Sequence, residues 1–78
     1  MLLGDAIRKR IINLAKERNI TTHMVATKAG ITHSTLNALI NSKSNDPKTS
    51  TILHICEGLD IELWEFYKDP VFKDVKDE

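Results

Sequence analysis

The chain has 78 residues, of which 41% are hydrophobic, and its 11 basic and 11 acidic side chains leave no net charge. This length allows a single domain with one small core, and it leaves no room for a separate ligand-binding or protease domain. The hydrophobic fraction is typical of a folded protein and excludes an intrinsically disordered one.

The charges are distributed unevenly along the chain. Residues 1–48 contain eight Lys or Arg and three acidic residues, whereas residues 49–78 contain three Lys and eight acidic residues. This asymmetry predicts a positive face that can approach phosphate groups and an acidic face directed away from them. The alternative interpretation is that both sets of charges are solvated surface.

The first helix is predicted from about Asp5 to Arg18. Apolar residues recur there at i, i+4, i+7 and i+8, which indicates one buried face. These residues are Ile7, Ile11, Leu14 and Ala15. Asn19 suits the C-terminal cap of this helix, and Ile20 is expected to turn back toward the core.

Residues 22–41 read THMVATKAGITHSTLNALIN and contain a short helix, a glycine and a second helix. Gly30 lies where the chain must turn sharply, because glycine adopts positive φ at little steric cost. Thr21 or Thr22 is predicted to cap the first of these helices and Thr32 the second, because a threonine hydroxyl can accept a free backbone N–H. This is the layout of a helix-turn-helix.

The second helix of this motif is predicted from about His33 to Ile40. Leu36 and Leu39 point into the core at i, i+3 spacing. The outward residues are short, mostly polar and able to hydrogen-bond, which suits a surface that contacts base edges. They are Thr32, His33, Ser34, Thr35, Asn37 and Ala38.

Two further helices are predicted after a loop at residues 41–47. The fourth helix starts near Thr49 or Ser50 and directs four residues inward, namely Ile52, Ile55, Cys56 and Leu59. Gly58 is unusual there, since glycine weakens a helix by about 1 kcal/mol relative to alanine. A short last helix is predicted at Glu62–Tyr67, and the charged tail after it is expected to fray at its end. No strand is predicted.

This ordered set of segments resembles the helix-turn-helix domains of the phage Cro and repressor type, often called the XRE family. The resemblance covers roughly Ile7 to Tyr67. It implies an all-α, compact five-helix domain in which helices 2 and 3 form the helix-turn-helix. We therefore expect a DNA-binding domain at residues 1–67 and a tail at residues 68–78 that is partly frayed or associated with a dimer.

The resemblance also implies that the N-terminal residues of the third helix enter the major groove of DNA. Residues at helix ends and in the following loop are expected to contact phosphates. The DNA-binding residues expected on this basis are Thr22, Thr32, His33, Ser34, Thr35, Asn37, Asn41, Lys43 and Lys48. The alternative for each of them is an exposed polar residue without a DNA contact.

Aromatic and apolar residues are concentrated near the acidic end of the chain. In the family this region often builds a two-fold dimer, which places two recognition helices one DNA turn apart. We expect a dimer interface that includes Leu63, Trp64 and Phe72. The alternative is that the tail folds back onto its own domain.

The function expected from these features is that of a sequence-specific transcriptional regulator, a dimeric repressor of the phage or mobile-element kind. The alternative is a protein-interaction module, such as an antitoxin or anti-repressor, that binds DNA weakly. No nucleophile with a base and no metal-ligand spacing is visible, so neither enzyme activity nor a cofactor is expected. A single cysteine and the lack of a signal-peptide-like or membrane-spanning apolar run lead us to expect a cytoplasmic protein.

Ala15 and Ile40 occupy positions where many relatives carry a buried arginine–glutamate ion pair. Packed apolar residues can replace such a pair at little cost, whereas losing one partner leaves an uncompensated buried charge. We therefore predict that Ala15 and Ile40 lie close together, and that Ile40→Glu sharply lowers the melting temperature. A thermal unfolding curve checks this, and an unchanged midpoint would contradict it.

Overall fold

The computed structural model describes residues 1–41 and 47–76, which form five α-helices and a final 3₁₀ turn. The helices are α1 (Leu3–Glu17), α2 (Thr22–Ala29), α3 (His33–Asn41), α4 (Thr49–Gly58) and α5 (Leu63–Tyr67), and the 3₁₀ turn is Pro70–Phe72. The described residues contain no strand, only one isolated parallel bridge between Leu2 and Lys76. The expected all-α, five-helix architecture is confirmed.

All five helices contribute to a single core. Each supplies at least one side chain that is almost fully buried, and these include Ile11, Val25, Leu36, Ile52 and Phe66. Burying one such side chain contributes about 1.5–3 kcal/mol. The inward faces predicted for α1 and α4 are confirmed, because every residue assigned to them is buried. Ile40 packs half-buried against the same core, which also contains Ala15.

The start of α1 is tied to the end of the described chain. The Leu3 N–H donates to the Lys76 carbonyl at 2.9 Å, and the Lys76 N–H donates to the Met1 carbonyl at 3.0 Å. These bonds hold the first residues in place, and α1 begins at Leu3, before the predicted Asp5. At its other end, Asn19 adopts a left-handed conformation with φ of 57°, as suits a residue that ends a helix.

Arg10 is buried in the structure although the charge pattern had placed it among the basic surface residues. Its guanidinium donates to the Phe66 carbonyl at 2.9 Å, to the Glu65 carbonyl at 3.0 Å and to the Asp69 carboxylate at 3.1 Å. These bonds join α1 to the end of α5 and to the segment after it. Arg10 is therefore a structural residue and does not add to a positive face.

The described part of the tail packs against α1. Asp69 accepts the Arg10 bond and also caps the 3₁₀ turn, because its carboxylate accepts the Val71 N–H at 2.9 Å. Phe72 packs half-buried against the domain core. Residues 68–76 are thus in contact with the domain, and the last two residues of the chain lie outside the described part.

Gly58, which the sequence pattern left unexplained, lies where α4 meets the end of α2. A Cβ atom added to Gly58 would be 2.5 Å from both the carbonyl carbon and the carbonyl oxygen of Lys28, and 2.7 Å from the nitrogen of Ala29. Backbone atoms cannot move aside as the tip of a flexible side chain can. Glycine is therefore required at this position because α4 and α2 approach within backbone contact.

We predict that Gly58→Ala destabilises the fold, even though alanine favours helix by about 1 kcal/mol. The added methyl group would force α4 away from α2 and so disturb the packing of both helices. Urea unfolding measures the effect, with Glu57→Ala, an exposed neighbour on the same helix, as the control. A Gly58→Ala protein more stable than the parent would show that the two backbones are not in such close contact.

Candidate nucleic-acid interface

The turn between α2 and α3 has the geometry that a helix-turn-helix requires. The Thr21 hydroxyl caps α2 by accepting the Met24 N–H at 3.1 Å. At the other end, Gly30 adopts a left-handed conformation with φ of 70°, as predicted. The next N–H, that of Ile31, donates back to the Ala26 carbonyl at 3.1 Å, and Ile31 packs against the core. The start of α3 is therefore fixed relative to α2.

Thr32 caps the N-terminus of α3, as the sequence predicted. Its hydroxyl oxygen accepts the Thr35 N–H at 3.0 Å, and the two threonine hydroxyls lie 2.8 Å apart. Both side chains are exposed. Thr32 therefore has a structural role in addition to any contact it makes with DNA.

The polar face predicted for α3 is exposed in the structure. The exposed residues are Thr32, His33, Ser34, Thr35, Asn37, Ala38 and Asn41, whereas Leu36 on the opposite face is only 1% exposed. Neither a lysine, an arginine nor a carboxylate occurs in α3. The surface that α3 presents is therefore small, neutral and rich in hydrogen-bonding groups.

A shallow pocket lies between the first turn of α2 and the first two turns of α3. It brings together three of the predicted DNA-binding residues, Thr22, His33 and Asn37. His23, Ala26 and Leu36 complete its lining. Thr22 is half-buried at the start of α2, where free N–H groups of the helix end are available to an anion.

His33 is held by residues of α2 that the sequence analysis did not assign to the site. Its ring stacks on that of His23, with 3.5 Å between the ring centroids and 29° between the ring planes. Its Nε2 atom lies 3.3 Å from the Thr27 hydroxyl oxygen. His23 and Thr27 meet His33 only through the crossing of α2 and α3, and no sequence spacing gave a signal for this contact.

Neither lysine expected to contact phosphate is among the described residues that line this pocket. Lys48 is exposed and precedes α4 as its N-cap residue. Lys43 lies outside the described part of the chain. Within α2 and α3 the one charged residue is Lys28, which is exposed near the end of α2.

Two further arginines of the basic half have partners within the chain. Arg18 donates to the Leu59 carbonyl at 2.9 Å. Arg8 forms an ion pair with Asp5. Together with the burial of Arg10, these contacts leave fewer free cations in the basic half than the charge count had predicted.

The residues predicted for a dimer interface differ in how much surface they leave free. Leu63 and Phe72 are half-buried and pack against the core of their own domain. Trp64 is 63% exposed, and the Lys68 ammonium lies 5.2 Å from the centroid of its ring. Trp64 is therefore the member of this set with the largest surface available to a partner.

Cys56 has no metal-binding neighbours in the described part of the chain, where no group of three or more His, Cys, Asp or Glu side chains is arranged to hold a metal ion. Burial raises the pKa of the Cys56 thiol, and the Arg10 charge offsets this only in part. The side chain fills a core position, as predicted.

No helix among the described residues is long and apolar enough to cross a membrane.

Comparison with known families identifies the fold and the motif together. The model of the Cro/C1-type helix-turn-helix DNA-binding domain matches residues 10–70, which is most of the chain. The chain belongs to the Cro/C1-type family. The resemblance seen in the sequence is confirmed, and α2 and α3 are the helix-turn-helix of a DNA-binding domain.

Two solved structures have a similar fold. The crystal structure of the prophage Lp1 protein 11 has a TM-score of 0.81 and 32% identity, and the match covers 96% of this chain and all of that one. An HTH_3 family transcriptional regulator from Vibrio cholerae has a TM-score of 0.75 and 22% identity, over 88% of this chain and 38% of that one. A search of curated proteins finds no match.

The Thr32 cap at the start of α3 gives a testable prediction. Thr32→Val keeps the shape of the side chain but removes the acceptor for the Thr35 N–H, and losing such a cap costs roughly 1 kcal/mol. Chemical denaturation should show that loss, whereas Thr32→Ser should retain most of the stability. Equal stability of the Val and Ser variants would mean that this cap does not stabilise α3.

Proposed function

We propose that this Cro/C1-type domain is a sequence-specific transcriptional repressor that binds its operator as a dimer. The observation that carries the proposal is the exposed, uncharged, polar face of α3, which the cap and the glycine turn fix relative to α2. Side chains of this kind can hydrogen-bond base edges in the major groove. Repression would follow from occupancy, because a dimer on adjacent major grooves blocks access to a promoter.

Base contacts are assigned to the first two turns of α3. His33 and Ser34 lie in the first turn, and Asn37 follows one turn later on the same exposed face. Asparagine can pair with adenine through two hydrogen bonds, which gives it the strongest discrimination of the three. Thr32 and Thr35 lie beside them and can contact either a base or the adjacent phosphate.

Phosphate contacts are assigned to helix ends and to the cations beside them. Thr22 combines a hydroxyl with the free N–H groups at the start of α2, a favourable site for an anion. Asn41 at the end of α3 and Lys43 and Lys48 beyond it would contact the backbone of the same half-site. Such contacts fix register and affinity but carry no sequence preference.

Dimerisation is assigned to the α5 surface around Trp64. A large exposed aromatic side chain is typical of an interface anchor. Leu63 precedes Trp64 in α5 and packs against the core of its own domain, as does Phe72 in the following segment. A two-fold axis near α5 would place the two copies of α3 in successive major grooves, about one helical turn apart.

The acidic half of the chain favours a second candidate, a protein-interaction module that binds DNA weakly. The half-exposed Leu53 lines a groove with carboxylates from α4, α5 and the link between them. Those carboxylates belong to Glu57, Asp60, Glu62 and Glu65. Such a groove suits a basic protein partner, and an antitoxin or anti-repressor would use it.

In-vitro selection of random duplex DNA by the purified chain tests the first candidate. We expect enrichment of a palindrome with half-sites about one helical turn apart, and affinity that falls steeply with salt as phosphate contacts are lost. An absence of enrichment, even at low salt, would favour the protein-interaction module.

Variants of the selected complex then separate the proposed roles. Asn37→Ala should weaken operator binding by about five- to 150-fold and relax one base position, since one good base contact contributes roughly 1–3 kcal/mol. Lys48→Ala should weaken binding to all sequences and lower the salt dependence. Lys73→Ala, at an exposed position of the tail, is the control and should change neither. Equal binding by Asn37→Ala and the parent would exclude Asn37 as a base contact.

A further inference from the structure

His33 differs from the other residues on the exposed face of α3 because α2 restrains its ring. The His23 ring, from the first turn of α2, stacks on it with 3.5 Å between centroids. The Thr27 hydroxyl, one turn further along α2, meets its Nε2 atom at 3.3 Å. Two residues one helical turn apart therefore contact one imidazole from different directions.

The hydrogen bonds of Thr27 indicate which nitrogen of the neutral His33 ring carries the hydrogen. The Thr27 hydroxyl donates its single hydrogen to the His23 carbonyl at 3.3 Å. With that hydrogen used, the Thr27 oxygen is left to accept from the His33 ring, and this assigns a hydrogen to Nε2. In a neutral imidazole the other nitrogen, Nδ1, is then a hydrogen-bond acceptor.

We propose that His23 and Thr27 are positioning residues that fix the orientation and tautomer of His33, and that His33 thereby reads a different base when it is protonated. This inference rests on the proposed function. In the neutral ring, Nδ1 accepts a hydrogen bond from the exocyclic amino group of adenine or cytosine. In the protonated ring Nδ1 becomes a donor, which matches the N7 and O6 acceptors of guanine.

Apart from the two rings themselves, no ionisable side chain is among the described residues that line this pocket. The described residues that line the pocket with them are Thr22, Ala26, Leu36 and Asn37, all uncharged. On the two helices that meet there, Lys28 is the one other charged side chain, and its positive charge lies near the far end of α2. No carboxylate of α2 or α3 is available to hold a protonated ring in place.

The tautomer is tested on the free protein by long-range ¹H–¹⁵N NMR of the histidine rings at pH 8. We expect His33 Nε2 to be protonated and Nδ1 unprotonated in the parent chain. Thr27→Val, which removes the hydroxyl at nearly constant shape, should give a mixture of the two tautomers, and Thr27→Ser should restore the parent spectrum. A parent chain with a proton on Nδ1, or a valine variant with the parent tautomer, would overturn the assignment.

The base preference proposed for His33 is tested by repeating the DNA selection at pH 8 and at pH 5.5, on either side of the range in which histidines ordinarily gain a proton. One base position of the operator should change from adenine or cytosine to guanine, with a preference of about threefold to tenfold in each direction. His33→Gln keeps a donor and an acceptor at both pH values, so its site should not change. The position facing Asn37 should be the same at both pH values in both proteins.

The outcomes distinguish this inference from the proposed function. The proposed base reading by His33 is overturned if the selected operator is identical at both pH values. It is also overturned if a pH-dependent base persists in His33→Gln. Either result leaves the repressor proposal intact. Failure of the parent chain to enrich any sequence at either pH overturns both. Loss of the pH-dependent base in Thr27→Val, with its recovery in Thr27→Ser, supports the positioning role.

Discussion

The approach of α4 to the end of α2 is the contact on which the proposed DNA-binding surface depends. It is possible only because Gly58 has no side chain, since a Cβ there would lie 2.5 Å from the Lys28 carbonyl. Lys28 and Ala29 immediately precede Gly30 and the turn into α3. The packing of α4 against the last residues of α2 therefore fixes the position of α3. Gly58, which has no side chain, thus determines where the polar face of α3 lies.

Arg10 has a comparable role at the opposite end of the molecule. Its guanidinium joins α1 to two carbonyls of α5 and to the Asp69 carboxylate. A guanidinium suits this place because it carries several donors in a rigid plane, and the carbonyls at a helix end can accept from them. The Phe66 ring, 5.8 Å from the guanidinium carbon, packs over the same group. The proposed dimer surface around Trp64 is thereby attached firmly to α1.

Much of the fold could be predicted from local sequence signals. Local signals predicted the turn at Gly30, the cap at Thr32 and the buried faces of α1 and α4. The structure confirms all of them. Gly58 and Arg10 could not be interpreted in this way, because their partners lie between 29 and 59 positions away along the chain. From spacing alone, a glycine inside a helix looks unfavourable, and an arginine on a helix looks like a surface charge.

The same distinction applies to the candidate site. The exposed face of α3 follows from helical periodicity, and the sequence indicated its residues correctly as exposed. The support that His23 and Thr27 give to His33 depends on how α2 and α3 cross, and the sequence carried no signal for it. What the predicted residues contact on DNA, and whether Leu63, Trp64 and Phe72 form a dimer interface, remain proposals.

The burial of Cys56 has a consequence for how the protein responds to oxidants. The thiolate is the reactive form of cysteine, and both burial and the raised pKa keep the Cys56 sulfur protonated and shielded. Peroxides and disulfides can reach it only after the helices around it separate. The folded domain should therefore keep its structure through oxidative stress that modifies exposed thiols in other regulators.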